Sequence, residues 1–349
     1  MSDPVEGSHK KAKPTLFVGI DLGTSHTAIT CNNGKRGGLT SYVGKPKDTV
    51  SEKLFGKRLL FGEEAQNNRM ALKLYRPLEK GVIKTDGPDK DENLEAVRAL
   101  LKHAVSLVSP APNDVVYGVI GAPARASFEN KRAILDAAKG ILHGAMIVSE
   151  PFAVAFGMDV LADALIVDIG AGTTDLCRMH GTFPEEEDQI TNSFAGDHVD
   201  NLLGELIRKR YPDAQFSVNM IKAIKERRGY VSGAAEKVEV ELTVNGRPKL
   251  FDVTGELKTA CRSIVPEMID GIHKLIGSFD PEFQAKLRNN VIVAGGGSQM
   301  HGLRLLIEDG LKELGGGKVR IVDEPVYAGC NGGLKIATEM PAEYWEHLG

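Results

Sequence analysis

The sequence is poor in cysteine and tryptophan, with four cysteines and one tryptophan among 349 residues. The cysteines are Cys31, Cys177, Cys261 and Cys330, and no two of them lie close together in the sequence. This spacing does not indicate a disulfide framework, which small secreted domains need. We therefore expect buried free thiols and a reducing, cytoplasmic location.

The sequence also lacks the features that bind membranes or nucleic acids. No stretch reaches the roughly 18 consecutive apolar residues of a membrane-spanning helix. Residues 1–13 have neither the apolar centre of a signal peptide nor the apolar face of a membrane anchor, and they predict a short disordered tail. The formal net charge is only −4, which argues against a general nucleic-acid binder. We expect no nucleic acid as a partner and no direct membrane insertion.

Two similar stretches carry most of the chemistry in this chain. Residues 18–27 (VGIDLGTSHT) and 166–175 (IVDIGAGTTD) both run from an apolar strand through an aspartate and a glycine turn to hydroxyl side chains. One such stretch is equally compatible with an ordinary glycine-rich hairpin. Two copies, a little under half the chain apart, indicate a duplicated domain. Each turn is small enough for its backbone N–H groups to approach a phosphate.

A third glycine turn follows another apolar strand, at residues 295–298 (GGGS). Packing glycines explain one such turn well and three poorly, so the set predicts nucleotide binding. The first two turns would hold the β- and γ-phosphates, and the third would take the α-phosphate or the sugar side. Asp21 and Asp168 would hold Mg²⁺ through its waters, because this ion prefers oxygen ligands and keeps part of its hydration shell.

Strand and helix patterns alternate along the rest of the chain and predict an α/β fold. We expect domain I at residues 14–157, completed by residues 326–349, and domain II at residues 158–325. Each domain carries a small inserted subdomain, at about 40–75 and about 196–255. The first insert is basic, and it is either a solvated face or a contact surface for another copy. Residues 257–279 predict one long amphipathic helix, and residues 302–314 another helix.

Five segments resemble the nucleotide-site motifs of the actin/Hsp70/hexokinase ATPase superfamily, and they occur in the same order along the chain. They are residues 20–27, 147–157, 167–175, 291–303 and 326–337. The resemblance implies an actin-like fold, in which two duplicated RNase H-like α/β domains enclose a nucleotide cleft. Residues 19–28, 123–127, 148–152 and 294–298 are, in addition, similar to bacterial actins that form filaments along magnetosome chains. This likeness implies assembly on Mg-ATP, later ATP hydrolysis, and self-association, with magnetosome-associated proteins as further partners.

The resemblance also implies roles for individual residues. Glu150 matches the carboxylate that orients the attacking water, although an acid at a helix N-terminus is also favoured by the helix dipole. Asp168 is a further catalytic candidate, and Thr174 is a weaker candidate for holding the water. Lys225 and Glu226 match a pair beside the ribose and adenine, and His26 is either near phosphate or simply exposed. The complete predicted nucleotide set is Asp21, Gly23, Thr24, Ser25, His26, Gly170, Ala171, Gly172, Thr173, Gly196, Asp197, Lys225, Glu226, Gly295, Gly296, Gly297 and Ser298.

Other members of the superfamily remain alternatives at this point. An ATP-dependent small-molecule kinase would need an aspartate base facing its acceptor, and the sequence does not identify one. Rod-shape actins often carry an apolar membrane-binding terminus or loop, which the polar residues 1–13 do not provide. A plasmid-segregating actin is not distinguished by these motifs.

Overall fold

The computed structural model of the chain describes residues 15–85, 87–233 and 237–348. The predicted tail at residues 1–13 lies outside these ranges. The strands are β1 Thr15–Leu22, β2 His26–Cys31, β3 Arg36–Thr40, β4 Val43–Pro46, β5 Leu60–Phe61, β6 Leu72–Tyr75, β7 Leu78–Glu79, β8 Val82–Ile83, β9 Val115–Ala122, β10 Gly144–Ser149, β11 Ala162–Ile169, β12 Thr174–His180, β13 Gln189–Asn192, β14 Glu239–Val244, β15 Arg247–Asp252, β16 Val291–Ala294 and β17 Val319–Ile321.

The α-helices lie between and after these strands. They are α1 Thr49–Phe55, α2 Gly62–Asn67, α3 Lys90–Leu107, α4 Phe128–Ala138, α5 Glu150–Gly157, α6 Gly196–Arg210, α7 Val218–Arg228, α8 Thr254–Arg262, α9 Val265–Gly277, α10 Pro281–Arg288, α11 Leu303–Gly310, α12 Ala328–Glu339 and α13 Ala342–Glu346. Within the described part of the chain, every helix is too short or too polar to cross a bilayer.

Two five-stranded sheets repeat the same strand order. The first is β3-β2-β1-β9-β10 and the second is β13-β12-β11-β16-β17. In each sheet the first three strands are antiparallel and the last three are parallel. Because β1 and β11 each occupy the middle position, the two aspartate loops follow equivalent strands. The predicted α/β fold class is confirmed, and the repeated order agrees with a duplicated domain.

The central strands are buried because their sheets carry helices. Leu165, Ile166 and Val167 on β11 have no exposed surface, as expected for a strand in the parallel part of a covered sheet. On the first sheet, α12 packs against β1 so closely that a Cβ on Gly19 would lie 1.9 Å from the Cys330 carbonyl oxygen. The C-terminal helices therefore return to the first sheet.

Each insert follows the third strand of its sheet. After β3, strands β4, β5 and β6 form a small sheet with its own core of Leu60, Ala65 and Leu72. After β13, α6, α7 and the β14–β15 hairpin share a hydrophobic core with the second sheet, in which Leu203 and Leu242 join Val167. The domain boundaries at residues 157 and 325 stay predictions.

Two predicted helices are shorter in the structure. Residues 257–279 form two helices, α8 and α9, separated at Ser263 and Ile264, so the single long helix was wrong. Pro266 lies in the first turn of α9, where its missing N–H costs no helical hydrogen bond. Residues 302–314 divide likewise into α11 and a short 3₁₀ turn, Leu311–Leu314.

Candidate active site in the cleft between the two sheets

The two aspartate loops have the same place in their sheets. Asp21 near the end of β1 is paired with Ala28, and Asp168 near the end of β11 is paired with Asp175. Since both loops leave the carboxyl end of a central strand, they occupy the position where α/β sheets commonly bind ligands.

Both loops open into one cavity of about 350 Å³. Most of the predicted nucleotide residues line it, and they come from both halves of the chain. They are Asp21, Gly23, Thr24, Ser25, His26, Glu150, Asp168, Gly170, Ala171, Gly172, Thr173, Gly196, Lys225, Glu226, Gly295, Gly296 and Gly297. The sequence motifs therefore converge on a single site between the two sheets.

Three predicted residues do not reach the cavity wall. Thr174 begins β12 beside Thr173, but its hydroxyl donates to the Phe194 carbonyl at 2.7 Å. Ser298 is fully buried, and its hydroxyl donates to the Gly295 carbonyl at 2.8 Å. Asp197 accepts two hydrogen bonds from Arg76, both at 2.8 Å. The polar side-chain atoms of these residues are occupied by protein partners, so we assign them no direct ligand roles.

Sequence reasoning missed several residues at the site. Lys222 on α7 lines the cavity, and its ammonium donates a hydrogen bond to the Ser25 hydroxyl in the first loop. The two residues are far apart in the sequence, and only the helical spacing from Lys225 could have placed Lys222 on the same face of α7. The other cavity-lining residues outside the prediction are Ala28, Gly81, Gly229, Gln299, Met300, Pro325 and Val326.

Two glycines show why the turns are built without side chains. A Cβ on Gly172 would lie 2.4 Å from the Thr24 hydroxyl oxygen and 2.8 Å from the Lys80 Cα atom, so the halves meet there at backbone distance. Gly295 has a φ of 75°, and a Cβ there would lie 2.3 Å from the Asp168 Oδ1 atom. Any larger residue at these positions would separate the halves or displace the carboxylate.

The carboxyl groups of Asp21, Glu150 and Asp168 line the cavity, and the carboxyl group of Asp175 lies behind them, near enough for its charge to act on Glu150 and Asp168. Burial raises the pKa of Asp21 to about 6. Burial, followed by the charges of Asp21 and Asp175, raises the pKa of Asp168 well above its usual value. The pKa of Glu150 is raised in the same way, by burial and then by the three aspartates. Without a cation, these groups repel one another and retain protons.

This donor set fits a hydrated magnesium ion. The carboxyl groups of Asp21, Glu150 and Asp168 offer hard oxygen atoms and excess negative charge, which are the properties that attract Mg²⁺. Across residues 15–85, 87–233 and 237–348, no three His, Cys, Asp or Glu side chains converge closely enough to hold a metal ion by themselves. Asp21 and Asp168, one from each half, are therefore suited to holding the ion through its waters.

Two basic groups at the cavity wall, Lys222 and His26, have lowered pKa values. Burial, followed by the positive charge of Lys225 among its neighbours, lowers the pKa of Lys222. Desolvation and then the charge of Lys222 lower the pKa of His26, which favours its neutral ring. An anion in the cavity would favour the charged forms of both groups, so the site is complementary to phosphate as well as to a cation.

Comparisons with known proteins agree with this arrangement. Residues 15–343 match the family described as MreB/Mbl protein. The chain is 43% identical over 339 residues to the actin-like protein MamK of Paramagnetospirillum magneticum, covering 97% of both proteins. It is similar to the solved MamK double helical filament, with a TM-score of 0.90 at 42% identity, over 94% of this chain and 100% of that one.

A second solved structure is a non-polymerising MamK mutant bound to AMPPNP. It has a TM-score of 0.71 at 42% identity, again over 94% of this chain and 100% of that one. The family match covers nearly all of the described residues, and the relatives are matched over almost their whole length. The chain therefore belongs to the MreB/Mbl family of actin-like proteins.

Proposed function

We propose that this chain is a bacterial actin-like ATPase that assembles into filaments on binding Mg-ATP and turns over by hydrolysing it. The observation that carries the proposal is the single cavity in which glycine loops and carboxylates from both halves face each other. A MamK filament structure similar to this chain supports assembly, and a related structure bound to AMPPNP supports nucleotide binding.

The nucleotide would lie along the cavity from the two aspartate loops to the third glycine turn. Backbone N–H groups of residues 24–25 and 171–173 would donate to the β- and γ-phosphates. Those of Gly23 and Gly170 donate to the His26 and Thr173 carbonyls and close the two turns. Residues 295–297 line the same cavity and would accommodate the adenosine side. Lys225 and Glu226 on α7 line the same cavity and would contact the ribose.

Asp21 and Asp168 would hold Mg²⁺ through its waters. When bound, the ion supplies positive charge that neutralises the phosphate oxygens and promotes phosphoryl transfer. The positive charge between the two carboxylates would offset their mutual repulsion. Binding of the metal would therefore favour their ionised forms. Because one carboxylate comes from each half, occupation of the site also favours a closed cleft.

Glu150 would act on the attacking water. It is the first residue of α5 and follows β10, and its Cγ atom lies 3.3 Å from the position of a Cβ on Gly121. Its carboxylate would accept a hydrogen bond from a water and take up its proton as the water oxygen bonds to the γ-phosphorus. The bond from that phosphorus to the bridging oxygen breaks, and ADP leaves with the electron pair.

The biological setting follows from the relatives. A chain 43% identical to MamK over 97% of its length is best proposed to form filaments in the cytoplasm alongside magnetosomes. Its partners would be further copies of itself and magnetosome-associated proteins.

Sedimentation together with phosphate release tests the proposal. Purified protein should form pelletable filaments on addition of Mg-ATP, with light scattering rising and phosphate appearing without any added acceptor. AMPPNP is the matched control, since it should support assembly without phosphate release. A protein that stays in the supernatant at high concentration, and releases phosphate only with a sugar or acid acceptor, would instead favour the small-molecule kinase.

A further inference from the structure

Arg76 makes contacts that join the two halves of the site. It lies just after β6, at the return from the first insert to the main sheet. Its Nη2 atom donates to both carboxylate oxygens of Asp197 at 2.8 Å, and its Nε donates to the Thr24 carbonyl oxygen at 3.3 Å. Thr24 belongs to the first aspartate loop, so one guanidinium binds this loop and a carboxylate of the other half.

Asp197 is itself attached to the second aspartate loop. It lies at the start of α6, where its N–H donates to the Ala171 carbonyl at 2.7 Å. The preceding Gly196 N–H donates to the Gly170 carbonyl at 3.1 Å. A continuous path of hydrogen bonds therefore runs from Thr24 through Arg76 and Asp197 to the second loop.

Neither Arg76 nor Asp197 lines the cavity that we assign to the nucleotide. Both line a second cavity of about 330 Å³ instead, which shares Gly172 and Lys222 with the first. The ion pair therefore lies behind the phosphate loops. The Arg76 guanidinium is directed at Thr24 and Asp197 and not into the nucleotide cavity.

We propose that Arg76 is a positioning residue that holds the two phosphate loops together around the triphosphate, so that release of nucleotide requires its pair with Asp197 to break. The inference rests on the proposed function, since it assigns a role in the same site. The two side chains are 28% and 30% exposed, so water can reach the pair when the cleft opens. A pair of this kind stabilises the closed cleft without making it permanent.

Arginine suits this position better than lysine. The guanidinium presents several N–H donors in one rigid plane, which lets Nε bind a carbonyl while Nη2 binds a carboxylate. A lysine ammonium is a single point charge, and we expect it to keep the ion pair with Asp197 but to lose the contact with Thr24. The Arg76→Lys variant therefore separates the charge from the bridging geometry.

Stopped-flow measurement of the dissociation of a fluorescent ATP analogue tests the inference. Arg76→Ala and Asp197→Asn should each speed dissociation at least fivefold, and the double variant should be no faster than the faster single variant. Arg76→Lys should lie between the wild type and Arg76→Ala. The matched control is Arg210→Ala. It removes an ion pair with Glu256, 2.8 Å long, that lies outside the cleft, and it should leave the rate unchanged.

Other results would overturn the inference. Faster dissociation in Arg76→Ala with a normal rate in Asp197→Asn would mean that Arg76 acts without its partner, and a normal rate in both would remove the pair from the site. Asp197→Asn keeps the shape of the side chain, so it tests the pair even where Arg76→Ala does not fold. If the wild type fails to bind the analogue, the proposed function fails rather than this inference.

Discussion

Replacement of Asp21 by asparagine should stabilise the nucleotide-free protein while damaging its use of Mg-ATP. Burial raises the pKa of Asp21 from 3.8 to about 6. A pKa raised by folding means that the folded state binds the proton more tightly, so stability is greatest below the unfolded value and is lost as the pH rises through about 6. At pH 8 the wild type carries this cost in full, and Asp21→Asn does not.

The size of the effect follows from the pKa difference. The interval between 3.8 and about 6 corresponds to at most about 3 kcal/mol, at about 1.36 kcal/mol for each pH unit. For a chain of this size that change shifts the thermal midpoint by about 4 °C. The gain of the variant should be greatest at pH 8 and should shrink as the pH falls from about 7 towards 4, because the wild-type carboxyl then becomes protonated.

Thermal unfolding with EDTA and without nucleotide, at pH 5 and pH 8, measures this effect. Asp48→Asn is the matched control, because Asp48 caps α1 and its hydrogen bonds with Ser51 hold its pKa below the usual value. That substitution should bring no stabilisation at pH 8. The reasoning is refuted if Asp21→Asn is no more stable than the wild type at pH 8, or if its advantage is the same at both pH values.

Three further substitutions have defined outcomes. Glu150→Ala should keep ATP binding and assembly but slow phosphate release at least tenfold, or about 1.4 kcal/mol of barrier, and wild-type turnover would remove Glu150 from the mechanism. Asp168→Ala should raise the Mg²⁺ concentration needed for half-maximal ATPase activity, and an unchanged Mg²⁺ titration would contradict its role. Gly332→Ala should lower the thermal midpoint, because its Cβ would lie 1.7 Å from the Ala153 carbonyl oxygen. Gly277→Ala, which has open space, is the control and should not lower it.

The sequence predicted those parts of the site that depend on short stretches of chain. An apolar strand, an aspartate and a glycine turn are adjacent residues, so Asp21, Asp168 and the turn at residues 295–297 could be found from pattern alone. The duplicated order of the two sheets follows from the same repeat. The family resemblance then supplied the place of Glu150, which no local pattern distinguishes from an ordinary acid at a helix start.

Contacts between distant segments were beyond the reach of these patterns. The pair of Arg76 and Asp197 joins residues 121 positions apart, and Lys222 meets Ser25 across 197 positions. No periodicity of helix or strand encodes such pairs. Asp197 was therefore predicted to bind the nucleotide. In the structure its carboxylate accepts hydrogen bonds from Arg76 of the other half.

One error was avoidable with local rules. Pro266 within an apolar helical pattern marks a helix start, which would have divided the predicted long helix into α8 and α9.

Crystals of the protein with AMPPNP and Mn²⁺ in place of Mg²⁺ would test the central claim most directly, through the anomalous signal of the metal. We predict one metal peak in the cleft, with its waters within hydrogen-bond distance of both Asp21 and Asp168 and with the triphosphate between the two glycine loops. A metal bound by only one of these carboxylates, or a nucleotide held by one half alone, would contradict this prediction.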